Sequence, residues 1–176
     1  KYSRILLKLS GEALMGKEGF GIDPEVVREV TSQIIEMVAL GVEAALVVGG
    51  GNIYRGMRAE RQGVDRVTGD HMGMVATLLN ALILKDTFEK AGQPSLVLSA
   101  LNVEKVAESY TRSRALEALG EGKIVIFACG TGNPYFTTDT AAALRALEIG
   151  AHALLKATKV NGVYDKDPEV FHDAKF

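Results

Sequence analysis

The sequence has little cysteine, little net charge and no long apolar run, and each shortage excludes a class of protein. Its 176 residues include one cysteine, Cys129, so no disulfide can form within the chain, which is typical of a reducing compartment. We interpret Cys129, which lies in an apolar run, as a small core residue; a reactive thiol is the alternative. The sequence has neither the roughly 18 consecutive apolar residues that span a bilayer nor a signal peptide, so we expect a cytoplasmic protein.

The net charge is −2, and no basic stripe or polybasic patch is visible. This argues against nucleic acid or a membrane surface as a partner. The Walker motif and the G-x-G-x-x-G pattern are missing, which excludes a P-loop kinase and a conventional dinucleotide-binding protein. His71, His152 and His172 lack metal-ligand spacing, so we interpret them as structural. Asp165 and Asp167 could form a metal site, but Mg²⁺ is better held by nucleotide phosphates.

What the sequence does contain is an alternation of short apolar runs with helical stretches. Strands are predicted at residues 5–9, 44–48, 95–98, 124–127 and 153–155. One helix is predicted after Asp23, a good N-cap followed by Pro24, and others over residues 70–90, 115–119 and 138–149. The alternation predicts an α/β fold: a three-layer α/β/α sandwich with a mainly parallel sheet.

Glycine-bearing turns follow three of the predicted strands, at residues 9–12, 49–52 and 130–134. Ligands of open α/β sheets bind beyond the carboxyl ends of the strands, and glycine lets backbone N–H groups approach them closely. One such turn is explained well enough as a tight strand-to-helix connection. Three together, each beside polar or cationic residues, favour a site for several phosphates.

Two cationic residues stand beside these turns. Lys8 lies inside an apolar strand, where an unpaired ammonium is costly, so we expect it to offset charge on a transferring phosphoryl group. The alternative is an edge residue whose ammonium reaches water. Arg55 follows the triple glycine and could grip a phosphate with two hydrogen bonds, or be a solvated surface charge.

Polar residues mark the predicted starts of two helices: Asp70 for the long helix, and Thr137, Thr138 and Asp139 for an alanine-rich one. Either set could be a plain capping cluster. Hydroxyl groups and helix-start N–H groups can also hold an anion, while Asp139 could order a lysine or a water. The polar loop of residues 156–168 contains one aromatic residue, Tyr164, and is either a nucleobase seat or ordinary surface.

Six blocks spread over almost the whole chain look familiar: ILLKLSGEAL from residue 5, VGGGN from 48, RG from 55, GDHMGM from 69, GTGNPYFTTD from 130 and KATKVNGVY from 156. In content and order they closely resemble the bacterial uridylate kinases, a branch of the amino acid kinase superfamily. The blocks at 69–74 and 131–139 are specific to that branch, whereas the triple glycine alone would indicate only the superfamily.

The resemblance implies Mg²⁺-dependent transfer of the γ-phosphoryl group of ATP to UMP, giving ADP and UDP in pyrimidine nucleotide synthesis, with Mg²⁺ carried by ATP. It implies that Lys8 is catalytic and that Asp139 orients catalytic lysines. The implied ATP site comprises Lys8, Leu9, Ser10, Gly11, Gly51, Arg55, Thr158, Tyr164 and Asp167. The implied UMP site comprises Gly50, Asp70, Thr131, Gly132, Asn133, Pro134, Tyr135, Phe136, Thr137 and Thr138.

The resemblance also implies regulation and assembly. A segment that matches one tied to activation by GTP comprises Gly16, Lys17, Glu18, Gly19, Phe20 and Gly21. The family is typically a homohexamer with UTP as a feedback inhibitor. Its chains continue past the position that matches Phe176, so we expect residues 1–176 to form a single amino acid kinase-like domain that lacks the C-terminal part of the family fold.

Two other functions stay open at this point. A kinase of the same superfamily that acts on carbamate, acetylglutamate or aspartate would share the turns, but it would need other roles for Asp70 and residues 131–138. A non-catalytic nucleotide-binding or oxyanion-storage protein on this fold is the second alternative. The presence of both Lys8 and Asp139 argues against it.

Overall fold

The computed structural model describes residues 2–54, 63–157, 165–166, 171 and 173–175. Within them one six-stranded sheet has the order β4-β3-β5-β2-β1-β6, and each neighbouring pair is parallel. The parallel α/β fold expected from the sequence is therefore confirmed. The strands are β1 Arg4–Leu9, β2 Glu43–Val48, β3 Ser95–Ser99, β4 Glu108–Ser109, β5 Ile124–Ala128 and β6 Ala153–Ala157.

Four α-helices lie in the described part of the chain: α1 Pro24–Ala39, α2 Arg66–Lys90, α3 Arg112–Gly120 and α4 Thr138–Glu148. Helix α1 begins as predicted, because the Asp23 carboxylate accepts hydrogen bonds from the N–H groups of Glu25 and Val26. It ends at Ala39, and Gly41 follows with a φ of 81°, a left-handed conformation that glycine adopts without strain.

Helix α2 begins one turn earlier than the sequence predicted. Its N-cap is Asp65, whose carboxylate accepts hydrogen bonds from the N–H groups of Val67 and Thr68. The interpretation of Asp70 as a helix N-cap is therefore wrong. Asp70 lies inside the first turns of α2, so its carboxylate is free of the capping role and available for other contacts.

The helices cover both faces of the sheet. Alternate residues of each central strand point to opposite faces: Leu46 and Val48 pack with α1 and α2, whereas Ala45 and Val47 pack with α3 and α4. Each layer has its own apolar core, and both central strands β2 and β5 are almost fully buried. This arrangement confirms the three-layer sandwich.

Helix α2 is long and apolar enough, by length and composition alone, to cross a membrane. The core helices of soluble proteins pass the same test. Here nine of its residues are buried, and it packs against α1 and the sheet. We therefore interpret α2 as a core element of the sandwich.

The sheet contains a switch point between its neighbouring strands β2 and β5. After β2 the chain continues to α2 on one face, whereas after β5 it continues to α4 on the other. Two loops that leave adjacent strands in opposite directions open a crevice at the carboxyl edge of the sheet. Strands β1 and β6 complete this edge, so four adjacent strands can contribute residues to one site.

Candidate active site

A carboxylate joins two lysines at the carboxyl edge of the sheet. Asp139 Oδ1 lies 2.8 Å from Lys8 Nζ, and Asp139 Oδ2 lies 2.8 Å from Lys156 Nζ. The Lys8 side chain is only 10% exposed, whereas that of Lys156 is 53% exposed. Lys8 is therefore not an edge residue whose ammonium reaches bulk water.

The strand register explains this meeting. Lys8 in β1 is aligned with Lys156 in the parallel neighbour β6, so both side chains leave the same face of the sheet. Helix α4 covers that face, and its N-cap Thr137 accepts a hydrogen bond from Thr140 N–H. Asp139 is thereby held in the first turn of α4, above the two ammonium groups, which would otherwise repel each other.

The two lysines also set the ionisation of Asp139. Partial burial on its own raises the pKa of Asp139, but the hydrogen bonds and positive charges of Lys156 and Lys8 outweigh it and leave the pKa below its ordinary value. Asp139 is therefore ionised at neutral pH. One carboxylate lies between two ammonium groups, so the three side chains together carry a net positive charge that can face phosphate.

The turns after β1 and β2 touch backbone to backbone. Gly49 N–H donates to the carbonyl of Leu9 at 2.9 Å, and a Cβ added at Gly11 would lie 2.8 Å from the Gly51 nitrogen. No side chain fits at Gly11, so glycine is required there by space. Ser10 caps the short 3₁₀ helix Gly11–Leu14 by accepting from Glu12 N–H. These contacts place two glycine turns at one point, beside Lys8.

A cleft of about 150 Å³ opens between the loops that follow β2 and β5. Gly50 packs so closely on α2 that an added Cβ would lie 2.8 Å from the Gly73 carbonyl oxygen. The cleft thus forms at the switch point described above. Its lining comprises Gly50, Gly51, Tyr54, Gly69, Asp70, Gly73, Met74, Thr77, Gly130, Thr131, Phe136 and Thr138.

Asp70 lines this cleft and is also hydrogen-bonded to the loop after β5, which forms the opposite wall. Its two carboxylate oxygens share the single Nε–H of Arg66, at 3.0 and 2.9 Å, and Oδ2 also accepts a hydrogen bond from Tyr135 N–H at 2.7 Å. Burial on its own raises the pKa of Asp70, but the Tyr135 and Arg66 contacts outweigh it, so the pKa lies below its ordinary value. An ionised carboxylate therefore faces the cleft at neutral pH.

The loop after β5 has a shape that brings its residues to the cleft. Cys129 and Tyr135 have positive φ angles of 62° and 71°, which are uncommon for residues other than glycine. Cys129 N–H donates to Thr77 Oγ1 at 2.8 Å, and the Arg66 guanidinium lies over the Tyr135 ring. The loop is thus tied to α2 at Cys129 and at Tyr135, and Thr131 between them and Phe136 just after them line the cleft.

Cys129 itself is a core residue, as the sequence suggested. Its thiol is completely buried in the cluster between the sheet, α1 and α2. Burial raises the pKa of the Cys129 thiol, despite a hydrogen bond from Ser99. A protonated, inaccessible thiol does not act as a nucleophile.

Other residues that the sequence singled out lie elsewhere. The Leu9 side chain is buried in the core, so only its backbone belongs to the turn. Residues 16–21 lie outside the cleft lining: Gly16–Glu18 form a 3₁₀ turn, and Phe20 is 68% exposed. The following predicted residues lie outside the part of the chain that the structure describes: Arg55, Thr158, Tyr164, Asp167 and His172.

The histidines in the described ranges do not form a metal site. His152 Nδ1 lies within hydrogen-bond distance of the backbone nitrogens of Ser3 and Arg4, at the opposite end of β1 from Lys8, and His71 lies on the exposed side of α2. No group of three or more His, Cys, Asp or Glu residues that could hold a metal ion occurs among the described residues.

Sequence reasoning missed several residues of the site. Lys156 was placed in a polar loop and given no role of its own, because the predicted strand stopped at Leu155, whereas β6 continues to Ala157. Asn80 is a polar residue on the buried side of α2, and that conflict was a usable signal. Tyr54, Met74 and Thr77 carry no such signal, because only the folded chain brings them to the cleft.

Comparisons with known proteins agree with this geometry. Residues 3–176 match the model of the amino acid kinase family. The chain is 57% identical, over 175 residues, to a uridylate kinase of Methylococcus capsulatus, covering 99% of this chain and 73% of that protein. Among solved structures, a UMP kinase from Bacillus anthracis is 39% identical with a TM-score of 0.93, covering 99% of this chain and 72% of that one. A UMP kinase from Ureaplasma parvum is 35% identical with the same TM-score, covering 100% and 75% respectively.

Proposed function

The chain belongs to the amino acid kinase family, and we propose that it transfers the γ-phosphoryl group of ATP to UMP, giving ADP and UDP. The observation that carries this proposal is the Lys8–Asp139–Lys156 bridge, which lies where two glycine turns meet and one residue from the acceptor cleft. The choice of UMP as the acceptor rests on the names of the similar proteins, which are uridylate or UMP kinases.

The reaction makes few chemical demands on the protein. A phosphate oxygen of UMP, already ionised at neutral pH, attacks the γ-phosphorus, and the bond from that phosphorus to the bridging oxygen of ADP breaks. No general base is needed, so catalysis depends on aligning two anions and offsetting their charge. The described site has the groups for both tasks.

We assign the roles from burial and position. Lys8, nearly buried, places its ammonium beside the travelling phosphoryl group, where a low-dielectric setting strengthens its effect. Asp139 keeps both lysines in place and is itself fixed in the first turn of α4. The turns at Ser10–Gly11 and Gly49–Gly51 present backbone N–H groups to phosphates. Arg55, Thr158, Tyr164 and Asp167, outside the described residues, complete the proposed ATP site.

The acceptor occupies the cleft between β2 and β5 in this proposal. Asp70 accepts hydrogen bonds from the nucleoside, and Gly50 with residues 131–138 surrounds the rest of UMP. The ionised state of Asp70 and its position in the cleft lining support this role. An acceptor without a nucleoside, such as carbamate, would leave the Asp70 wall of the cleft without a partner.

We further propose that Mg²⁺ arrives with ATP. Mg²⁺ commonly keeps several water ligands and binds through substrate phosphates with few protein carboxylates. That habit fits a site in which the described residues provide no cluster of three metal-binding side chains, and in which Asp139 already pairs with two lysines. Mg²⁺ would supply charge neutralisation on the β- and γ-phosphates.

A phosphoryl-transfer assay of the full-length protein tests the proposal. ADP formation is measured with ATP-Mg²⁺ and each of UMP, CMP, dTMP, AMP and carbamate. We expect UMP to give the highest kcat/KM. Highest turnover with carbamate would support another kinase of the family, and no turnover with any acceptor would support a non-catalytic nucleotide-binding protein.

Assembly, regulation and location are proposals of the same kind. We propose one amino acid kinase-like domain that assembles as a cytoplasmic homohexamer, with GTP as activator through residues 16–21 and UTP as inhibitor. An exposed apolar patch on α2, formed by Met72, Val75 and Leu79, supports self-association. Sedimentation analysis, and kinetics with added GTP or UTP, test these points separately.

A further inference from the structure

Two buried asparagine side chains form a reciprocal pair beneath the glycine turns. Asn52 Nδ2 donates to Asn80 Oδ1 at 3.0 Å, and Asn80 Nδ2 donates to Asn52 Oδ1 at 2.7 Å. Asn52 is 1% exposed and Asn80 is fully buried. Asn52 ends the turn after β2, whereas Asn80 lies in the middle of α2, so the pair joins the turn to the helix.

The second N–H of each amide binds a backbone carbonyl. Asn80 Nδ2 donates to Gly49 O at 2.7 Å, and Asn52 Nδ2 donates to Gly21 O at 2.8 Å. The backbone of Asn52 also accepts a hydrogen bond from Gly21 N–H at 2.8 Å. All four side-chain N–H groups therefore have acceptors, which makes this a fully satisfied buried polar network.

The network fixes the distance between the two phosphate-facing turns. Gly49 is held from one side by Asn80 and from the other by the Leu9 carbonyl, through its own N–H. Asn52 Oδ1 lies so close to Gly11 that an added Cβ there would be 2.5 Å away. The amide pair thus fixes the position of the turn after β2 relative to the turn after β1.

We propose that Asn52 and Asn80 are positioning residues for phosphoryl transfer. They touch no substrate; they act through Gly11, Gly49 and Gly51, whose spacing aligns the donor phosphates with Lys8. This inference rests on the proposed kinase function. A displacement of about 1 Å can lower a rate about 100-fold, so loss of the pair should reduce kcat more than substrate affinity.

Asn80→Leu tests the proposal, because leucine has a similar size but cannot donate to Gly49 or Asn52. We expect kcat to fall about tenfold or more, with KM for ATP and UMP changed less than about threefold. The double variant Asn52→Ala/Asn80→Ala should lose little more than the stronger single variant, since the two residues act as one unit. If Asn80→Leu folds poorly, the single variant Asn80→Ala removes the same donors without placing a charge in the core.

Thr31→Val is the matched control. Thr31 is 2% exposed, and among the described residues its hydroxyl hydrogen-bonds only to carbonyls of its own helix, at 2.9 and 3.0 Å. It should change unfolding in urea but not kcat. A kcat within about twofold of the unchanged protein for folded Asn80→Leu, or an equal loss in Thr31→Val, would overturn the positioning role.

Amide hydrogen exchange gives a readout that does not depend on turnover. Exchange at Gly11 and at residues 49–51 should become faster in Asn80→Leu and stay unchanged in Thr31→Val. Unchanged exchange in both variants would refute the positioning role even if the protein phosphorylates UMP. Absence of UMP-dependent ADP formation in the unchanged protein would refute the kinase proposal instead.

Discussion

Lys8 of β1 lies directly beside Lys156 of β6, in register on adjacent parallel strands, and one carboxylate accepts a hydrogen bond from each. Two ammonium groups on neighbouring strands repel each other unless an anion lies between them. Asp139 provides that charge from α4. Each ammonium has three N–H donors and uses one of them on Asp139. The remaining donors can bind a phosphoryl group without any rearrangement of the backbone.

The first prediction concerns the buried lysine. Lys8→Ala should lower kcat by about 100-fold or more, because it removes a preorganised charge that stabilises the transition state. The dissociation constant of UMP should change little, since the proposed UMP site is the neighbouring cleft. Steady-state kinetics and calorimetric titration measure the two quantities. Lys123→Ala, at the amino-terminal side of β5, is the control; the reverse pattern, weak UMP binding with normal kcat, would count against the role of Lys8.

Lys156 should matter less than Lys8. Its side chain is half exposed, and an exposed ion pair is worth at most about 1 kcal/mol, which corresponds to roughly fivefold in rate. Lys156→Ala should therefore lower kcat about fivefold, and Lys156→Arg should recover part of that loss because it keeps the charge. A loss as large as that of Lys8→Ala would show that the two cations act together on the phosphoryl group.

The third prediction concerns the acceptor. Asp70→Asn should weaken UMP binding about 10-fold or more, because hydrogen bonds to a charged group are worth about 1.5–3 kcal/mol. The kcat at saturating UMP should fall much less. Asp65→Asn is the matched control on the same helix, because asparagine caps a helix as well as aspartate does. Unchanged calorimetric titration of UMP in Asp70→Asn would reject the assignment.

Acid should remove the contribution of Asp139 to stability. A carboxylate whose folded-state pKa is lowered stabilises the fold fully above its unfolded pKa, and this stabilisation is lost as pH falls through the folded value. The difference in the free energy of unfolding between the unchanged protein and Asp139→Asn should thus be greatest near neutral pH. It should shrink once pH drops below the ordinary aspartate value of 3.8.

Because Asp139 is half exposed, we expect that difference to be about 1 kcal/mol. Urea unfolding over a series of pH values measures it. Asp86→Asn, which breaks an exposed pair with Lys90 on α2, is the control and should show a smaller difference. If the difference in the free energy of unfolding between Asp139→Asn and the unchanged protein increased as the pH was lowered, the prediction would be contradicted.

The strands and helices that form the three layers were predictable, because the spacing of apolar residues and the positions of glycines are local properties of the sequence. The predicted start of α2 was wrong because Gly69 resembles a helix boundary and Asp70 resembles an N-cap. Asp65 can cap a helix equally well, and it is the N-cap in the structure. Strand β4 was missed because Glu108 and Ser109 are both exposed and form too short a run to show alternation.

The site was predictable only in part, for a similar reason. Lys8 was visible as a charge inside an apolar strand, and Asp139 as a carboxylate at a predicted helix start that could order a lysine, the role that the family resemblance also implied. The partnership of Asp139 with Lys156 depends on strand register and on which face α4 covers, and neither is a local property. The Asn52–Asn80 contact joins residues 28 positions apart, so it too required the folded chain.

Thr138 lines the cleft between the loops that follow β2 and β5, and the next residue in the chain is Asp139, whose carboxylate joins the two lysines. The proposed acceptor site and the proposed transfer site are therefore adjacent along the chain at this point. A substitution in residues 130–137 would therefore change one wall of this cleft while α4 and both strand lysines stay in place, and the other wall, with Gly50 and Asp70, would remain. A change of acceptor and a change of transfer chemistry would thus fall on neighbouring but separate residues of the chain.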